Sequence, residues 1–168
     1  MLLITADIHG STEALKEIVD IAASRKVEQV LIAGDLCPRE EPVFASLLSR
    51  LPGLVLVRGN SDVSYQFAQA RIHLPPLVRT LSYQGLPITL THGHLDVPYT
   101  VGGIVISGHT HIPHLKKDAD GTLWLNPGSP SRPRSSSGAT YALIDTEGVG
   151  IHRLKTHSPF LYHRFKSS

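Results

Sequence analysis

The sequence has a single cysteine, Cys37, among its 168 residues, so no disulfide can form within the chain. A lone thiol fits a reducing compartment. No apolar run approaches the ~20 residues that span a bilayer, and no basic segment precedes the first apolar run, as a signal peptide requires. These absences predict a cytoplasmic protein that neither crosses nor binds a membrane.

Charge of either sign is also scarce. Charged residues make up 18% of the chain and the formal net charge is +2, which is too small to favour a nucleic-acid partner. The apolar content of 41% is that of a globular protein, and the length is that of one domain. Histidine is the residue in excess, with ten copies.

The first sixty residues alternate between strand and helix patterns. Strands are predicted at 2–6, 28–33 and 53–58, and helices follow Ser11, which can cap a helix, and Pro42, a good first helical residue. Strands that alternate with helices indicate a mainly parallel sheet.

The second half consists mostly of short strand patterns separated by glycine-containing turns. They fall at 77–83, 86–91, 103–107, 112–117, 122–126, 139–145 and 149–154, and one further helix is predicted at 62–70. The pattern predicts a second, mixed sheet packed on the first, with helices outside. We expect one domain over residues 1–154, followed by a basic and aromatic tail, 155–168, without clear periodicity.

Short polar motifs close several of the predicted strands. They are Asp7-Ile8-His9, Gly34-Asp35, Gly59-Asn60, Thr91-His92-Gly93-His94 and Gly108-His109-Thr110-His111. The carboxyl ends of neighbouring strands converge in open α/β sheets. Two carboxylates, one amide and four imidazoles would therefore meet at one edge, and this is the ligand set of a two-metal hydrolytic centre.

The spacing within the motifs supports metal binding. Asp7 and His9 project to the same side of an extended segment, as do His109 and His111, so each pair can chelate one ion. A single such motif is weak evidence, and Gly-Asp after a strand is often only a turn, but turn chemistry does not explain five motifs in succession. The mixture of oxygen and nitrogen ligands suits Mn²⁺, Fe²⁺ or Zn²⁺, and the lack of cysteine ligands argues against a closed structural zinc site.

With these motifs, and with Asn126-Pro127-Gly128-Ser129, the chain resembles the calcineurin-like metallophosphoesterases, in particular the small YfcE-type phosphodiesterases, over residues 1–154. The resemblance implies an α/β fold, a four-layer αββα sandwich of two mixed β-sheets flanked by helices. It implies that one metal is held by Asp7, His9, Asp35 and His111. It implies that the second is held by Asp35, Asn60, His92 and His109, with Asp35 as the bridge. The cofactors would be two divalent ions, Mn²⁺ first, with Fe²⁺, Ni²⁺ or Zn²⁺ as alternatives.

The expected activity is hydrolysis of small phosphodiesters through in-line attack by a hydroxide that bridges the two metals. Only two of the ligands are anionic, so the loaded centre keeps a net positive charge that attracts a phosphodiester. Asn60 and His94 are expected to contact the phosphate, as are Arg58 and Arg134, which flank the motifs. The tail and the exposed faces of so small a fold could also support a homo-oligomer.

Two departures from the family pattern affect the expected chemistry. Many relatives carry a histidine after the metal-binding asparagine, where this chain has Ser61, whose hydroxyl is a poor acid. We therefore expect a preference for leaving groups of low pKa, with His94 or Asp62 as the candidates to replace the missing acid. The connection from His94 to Gly108 is also too short for the helix that many relatives have there, and its loop could place Asp96 and Tyr99 at the rim of the site.

Two other functions stay open. One is a non-catalytic metal-binding scaffold on the same fold, like the retromer subunit that resembles these enzymes, although such scaffolds tend to lose ligands and this chain keeps them. The other is a nuclease, which the near-neutral charge and the lack of a basic groove do not favour.

Overall fold

The computed structural model describes residues 1–165, which contain eleven strands and three helices. In chain order they are β1 (Leu2–Thr5), α1 (Thr12–Ser24), β2 (Gln29–Ile32), α2 (Pro42–Ser49), β3 (Val55–Leu56), α3 (Ser64–Gln69), β4 (Val78–Tyr83), β5 (Leu86–Thr91), β6 (Ile104–Ile106), β7 (His114–Lys117), β8 (Leu123–Asn126), β9 (Thr140–Ile144), β10 (Gly148–Arg153) and β11 (Pro159–Arg164). None of the three helices is long and apolar enough to cross a membrane.

The strands form two mixed sheets. The first has six strands in the order β11-β10-β9-β1-β2-β3, in which β1, β2 and β3 are parallel and β9, β10 and β11 run antiparallel to their neighbours. The second has five strands in the order β4-β5-β6-β8-β7, with β5, β6 and β8 parallel. This confirms the predicted fold class of two mixed sheets.

Two apolar cores hold the layers together. The helices pack on the outer face of the first sheet, where Leu15 of α1, Phe44 of α2 and Phe67 of α3 are fully buried. The second core lies between the sheets and includes Ile4 and Ile106. Burying a side chain of this size contributes about 1.5–3 kcal/mol relative to leaving it exposed, so the packing of the two cores fixes the strands whose ends carry the polar motifs.

The first two helices begin where the sequence predicts. Ser11 accepts a hydrogen bond from the Ala14 N–H through its Oγ at 3.1 Å and so caps α1. Pro42 occupies the first turn of α2, where a missing N–H has no consequence. The cap on α1 directly follows the Asp7-to-His9 segment and therefore fixes where that segment turns away from β1.

The connection between β5 and β6 contains no helix, as its length predicts. Instead, the Tyr99 ring packs edge-on against Trp124 with the ring centroids 5.1 Å apart, and the Gly102 N–H donates to Thr122 Oγ1 at 3.0 Å. The later part of this loop therefore packs against β8 of the second sheet through Tyr99 and Gly102, and all three described helices belong to the first sheet.

The sequence pattern predicts no element after residue 154, and here the structure corrects it. Residues Pro159–Arg164 form β11, which pairs antiparallel with β10, so the boundary at 154 falls inside a hairpin. The strand lies at the edge of the sheet and is half exposed, and a register shift occurs beside His152. These features weaken the alternation of apolar and polar residues, which is the signal that would have predicted the strand.

Candidate metal centre

The predicted ligands lie in the loops that follow β1, β2, β3, β5 and β6, at one edge of the two packed sheets. Five of them have a positive φ: Asp7, His9, Asp35, His109 and His111, with values between 48° and 71°. This backbone conformation is uncommon for residues other than glycine and costs of order 1 kcal/mol or more each. Its concentration in these five residues indicates that the fold positions them for a purpose other than stability.

Two glycines of the motifs are required by close approach of the carboxylates. A Cβ at Gly59 would collide with the carboxylate of Asp35, and a Cβ at Gly108 would lie 2.8 Å from Asp7 Oδ2. Only glycine fits at either position. The Gly-Asn and Gly-His pairs of the sequence are therefore explained by the carboxylates packed against them.

The first group of converging side chains is Asp7, His9 and His111, whose ligand atoms all lie within 4.8 Å of one another. His9 Nε2 and His111 Nε2 are 3.2 Å apart, and His111 Nε2 is 3.4 Å from Asp7 Oδ1. His111 Nδ1 donates to the Arg132 carbonyl at 2.7 Å, which assigns the proton to Nδ1 and leaves the Nε2 lone pair facing the centre.

The second group is Asp7, Asp35 and His92, again within 4.8 Å. His92 Nδ1 donates to the Ala33 carbonyl at 2.8 Å, so that His92 Nε2 also presents a lone pair to the centre. Asn60 Oδ1 lies 2.9 Å from His92 Nε2 and 3.0 Å from His109 Nδ1. Asn60, His92 and His109 therefore converge, as predicted.

Asp35 lies between the two groups. Its Oδ2 is 3.5 Å from His9 Nε2, and its Oδ1 is 3.4 Å from His92 Nε2. Burial raises the pKa of Asp35, but hydrogen bonds from His92 and Ser61 outweigh burial and hold the pKa well below its usual range. An ionised carboxylate with one oxygen toward each group is the geometry that a bridging ligand needs.

Asp7 has the opposite electrostatic environment. Its Oδ2 accepts from the His109 N–H at 2.9 Å, whereas its Oδ1 is buried and has no hydrogen-bond partner among the described residues. Burial raises the pKa of Asp7 to about 7. A buried carboxylate oxygen without a partner is costly unless a cation lies against it, so the residues present fit a metal ion at this point.

Two of the candidate ligands, His9 and His111, lie in surroundings that favour the neutral imidazole that a metal requires, and His92 does not. Burial lowers the pKa of both His9 and His111, which favours the neutral imidazole. Burial also lowers the pKa of His92, but its hydrogen bond with Asp35 outweighs this and raises the pKa overall. A cation at the centre would replace the proton in that contact.

Asp62 has a different role from the predicted one. Its Oδ2 accepts from the N–H groups of Asp35 and Gly59 at 2.9 and 2.8 Å, and its Oδ1 accepts from the Cys37 N–H at 2.8 Å. Burial raises the pKa of Asp62, although these hydrogen bonds oppose the rise. Because the side chain is buried and all its acceptor positions face backbone donors, it ties two ligand loops together and is not directed at a substrate.

His94 is placed beside the second group, with its ring centroid 5.3 Å from His92 and 6.3 Å from His109. Its pKa is lowered, first by burial, and Nδ1 is buried without a partner. Arg134 lies beside the first group, because its backbone N–H donates to the His111 carbonyl at 3.2 Å.

The remaining predicted contact residues differ in their placement. Arg58 makes no ion pair with Asp62 within residues 1–165, and its N–H donates to the Pro76 carbonyl. After burial, its positive charge is among the causes that lower the pKa of His94, so Arg58 stays within electrostatic reach of that histidine. Tyr99 is held against Trp124 on the second sheet, and Asp96 is exposed in the same loop.

A groove beside His9 contains a residue that the sequence analysis missed. Its volume is about 570 Å³, and its walls include Ser61, Arg39 and Arg132. Arg39 lies four residues after Asp35 in a segment without secondary structure, so no periodicity marked it. Arg132 lies in the loop formed by residues 129–138, which is rich in serine, proline and arginine. Only the fold shows that Arg39 and Arg132 line the same groove.

Comparison with known proteins gives a consistent result. A family model described as the calcineurin-like phosphoesterase superfamily domain matches residues 1–148. Phosphodiesterase YfcE of Escherichia coli strain K12 is 28% identical over 176 residues, covering 94% of this chain and 94% of the relative. A probable metallophosphoesterase of Methanothermobacter thermautotrophicus is 32% identical over 149 residues, covering 82% of this chain and 81% of the relative.

Solved structures share the fold. Escherichia coli YfcE superposes with a TM-score of 0.85 at 24% identity, covering 98% of this chain and 99% of that one. Wild-type Vps29 of Entamoeba histolytica complexed with zinc superposes with a TM-score of 0.66 at 22% identity, covering 98% and 97%.

Proposed function

Because the chain belongs to the calcineurin-like phosphoesterase superfamily and is a metal-dependent phosphoesterase, we propose that it hydrolyses small phosphodiesters at a centre of two divalent ions. The observation that carries the proposal is the position of Asp35, whose Oδ2 lies 3.5 Å from His9 Nε2 and whose Oδ1 lies 3.4 Å from His92 Nε2, within two groups of candidate ligands. Two groups of candidate ligands that are joined by one carboxylate are the arrangement of a two-metal site.

The ligand assignment is the one that the family resemblance implies, with Asp35 as the bridge. Asp7, His9, Asp35 and His111 would hold one ion, and Asp35, Asn60, His92 and His109 would hold the other. When bound, two divalent ions lower the pKa of a coordinated water and neutralise the oxygens of a phosphate. With two carboxylates among the ligands, the loaded centre keeps a net positive charge that draws in an anionic diester. Mn²⁺ is the ion we expect, with Fe²⁺, Ni²⁺ and Zn²⁺ as alternatives.

The residues around the ligands orient them. The carbonyls of Ala33 and Arg132 accept from His92 and His111 and fix both rings, which is the usual task of outer contacts in a metal site. His94 lies beside the second group, from which its imidazole can donate to a phosphate oxygen. Arg134 lies close enough to the first group for its charge to act on Asp7 and His111, and it supplies a positive charge at the same edge.

The leaving group has no evident proton donor. Ser61 follows Asn60, and its hydroxyl does not ionise near neutral pH. Asp62 is committed to backbone N–H groups, which leaves only His94 of the candidates. We therefore propose that the enzyme favours diesters whose leaving groups depart without a proton. The free cysteine supports a reducing compartment, the cytoplasm, for this activity.

The test compares a diester with a monoester. Hydrolysis of bis-(p-nitrophenyl) phosphate and of p-nitrophenyl phosphate is measured after removal of metals and again after addition of Mn²⁺. We expect turnover that requires Mn²⁺, favours the diester and is lost in Asn60→Ala. Gln84→Ala, in the exposed turn before β5 and therefore at the opposite end of that strand from His92, is the matched control and retains activity.

The alternative is the non-catalytic scaffold. If the protein binds two ions per chain and yet hydrolyses neither ester, the proposal is wrong and the scaffold takes its place. Retention of the whole ligand set, with both carboxylates and four histidines in position, speaks for catalysis.

A further inference from the structure

A groove with two arginines opens beside the first group of ligands, and we infer that it receives a leaving group that is itself a phosphate. The substrate class would then be diphosphate diesters, in which two organic groups are joined through a P–O–P linkage. This inference rests on the proposed function and specifies its substrate.

The groove is continuous with the metal centre. His9 lies in its wall together with Ser61, Arg39 and Arg132. An adjoining cavity of about 370 Å³ shares His9 and the same two arginines. Ser61 follows the proposed ligand Asn60, so the groove begins where a group that departs from phosphorus beside Asn60 would lie.

Arg39 is oriented but not neutralised. Its Nε donates to the Gly10 carbonyl at 2.6 Å, which uses one of its five N–H donors. Its Nη1 lies 3.8 Å from Glu41 Oε1, and both side chains are 55% exposed. An ion pair at this distance and exposure contributes little. The guanidinium therefore keeps donors for an anion in the groove.

Arg132 also lines the groove and is held in place by its backbone. Its N–H donates to Ser129 Oγ at 2.9 Å, and its carbonyl accepts from His111 Nδ1 at 2.7 Å. Its side chain is exposed and makes no ion pair with any residue between 1 and 165. Two guanidinium groups facing one groove match the bidentate geometry by which arginine binds phosphate.

The groove also offers a basic leaving group no uncommitted proton donor. Besides the arginines, its lining includes Ser61, Gln66 and Gln69, none of which gives up a proton near neutral pH, and the exposed glutamates Glu40 and Glu41. Its other two titratable residues are His9, whose imidazole is a proposed metal ligand, and Cys37, whose thiol is a weak acid. His94 does not line it. An alkoxide needs a proton as it leaves, whereas a phosphate does not, so the absence of an uncommitted acid and the presence of two arginines select the same leaving group.

The hydrolysis balances with one water. The water oxygen forms a bond to one phosphorus, and the bond from that phosphorus to the bridging oxygen breaks. The bridging oxygen departs with the second phosphoryl group, giving two phosphomonoesters, and the two protons of the water pass to solvent as the products ionise. No oxidant, reductant or other reactant is needed.

The test uses two esters of the same nucleotide on the Mn²⁺-loaded full chain. One is the methyl ester of uridine 5′-diphosphate, which releases methyl phosphate, and the other is the p-nitrophenyl ester of uridine 5′-monophosphate. The two leaving groups are similar in basicity and differ in charge. We expect kcat/KM to be about tenfold or more higher for the diphosphate, and the ratio to fall about tenfold in Arg39→Gln and in Arg132→Gln, the usual effect of losing a hydrogen bond between charged groups.

Matched controls separate this recognition from general effects. Arg50→Gln removes an exposed arginine at the end of α2 and should leave the ratio unchanged. Calorimetric binding of the methylene analogue of the diphosphate, which cannot be hydrolysed, should weaken by about the same tenfold in Arg39→Gln. Arg39→Lys should keep part of the affinity that Arg39→Gln loses, since lysine keeps the charge and loses the fork geometry.

The outcomes distinguish the two proposals. This inference is overturned if the p-nitrophenyl ester is hydrolysed but the diphosphate is no better a substrate. It is also overturned if neither Arg39→Gln nor Arg132→Gln changes the ratio of the two kcat/KM values. In both cases the proposed phosphodiesterase activity is unaffected. If neither ester is hydrolysed by protein with two bound ions, the proposed function is overturned and this inference with it.

Discussion

Replacement of Asp62 tests how the ligand loops are held together. Its carboxylate accepts three backbone hydrogen bonds, from Asp35, Cys37 and Gly59. Asp62→Ala would leave the N–H groups of Asp35 and Gly59, both buried, without partners, whereas water can reach the half-buried Cys37. Asp62→Asn keeps the shape and one acceptor oxygen but places an N–H₂ group against at least one backbone donor.

The expected magnitudes follow from those bonds. A buried donor without a partner costs about 1–3 kcal/mol, so two such donors predict a loss of about 2–6 kcal/mol in the free energy of unfolding for Asp62→Ala. Burial raises the pKa of Asp62, which means that desolvation of the charge offsets part of the gain from its hydrogen bonds. We therefore expect the lower half of that range, about 3 kcal/mol, and roughly half as much for Asp62→Asn.

Urea unfolding of the metal-free proteins, followed by circular dichroism at neutral pH, gives these free energies. Asp120→Asn is the matched control, because Asp120 also accepts a backbone N–H, from Thr122 at 2.9 Å, but is exposed. It should change stability by no more than about 0.5 kcal/mol. The reasoning would be refuted if Asp62→Ala stayed within 1 kcal/mol of the wild type, or if Asp62→Asn lost only turnover of poor leaving groups at full stability, as a proton donor would.

Three other changes have definite expected results. Ser61→His supplies the missing acid and should raise turnover of alkyl diesters, whose leaving groups are basic, by about 10²-fold, with little effect on p-nitrophenyl esters; equal effects on both would contradict this. Asp7→Asn removes a buried charge without a hydrogen-bond partner among the described residues, so the metal-free protein should melt at a higher temperature and gain less from Mn²⁺, since only the second ion keeps its full ligand set; an unchanged response would exclude Asp7 as a ligand. Deletion of residues 159–168 removes β11 and the contacts of Phe160 with the inter-sheet core, and should lower the free energy of unfolding by about 3 kcal/mol; a chain that unfolds like the wild type would show that the strand adds nothing.

The fold was predictable where apolar periodicity was strong. Strands β1, β2 and β5 and helices α1 and α2 are regular and half or fully buried, so their patterns were clear. The strand β11 was not predicted, because edge strands bury only part of one face and their alternation is weak.

The convergence of the candidate metal ligands was predictable because these residues follow the strands directly. Once the strands are placed, residues at their carboxyl ends must converge, and Asp7, Asp35 and His92 do so. The role of Asp62 was not predictable, because three hydrogen bonds to distant backbone groups leave no trace in the sequence. Arg39 was missed for the same reason, since its place beside Arg132 depends on how two irregular loops pack.

Metal content tests the central claim most directly. The chain is loaded with Mn²⁺, passed through a desalting column and analysed by mass spectrometry of the metal, beside Asp35→Asn and Asn60→Ala, while hydrolysis of the diester is followed in the same samples. The account predicts two ions per chain in the wild type, about one in Asn60→Ala and fewer than one in Asp35→Asn, because Asp35 contacts both groups of ligands. Full activity of the wild type with a single ion per chain, or with none, would contradict it.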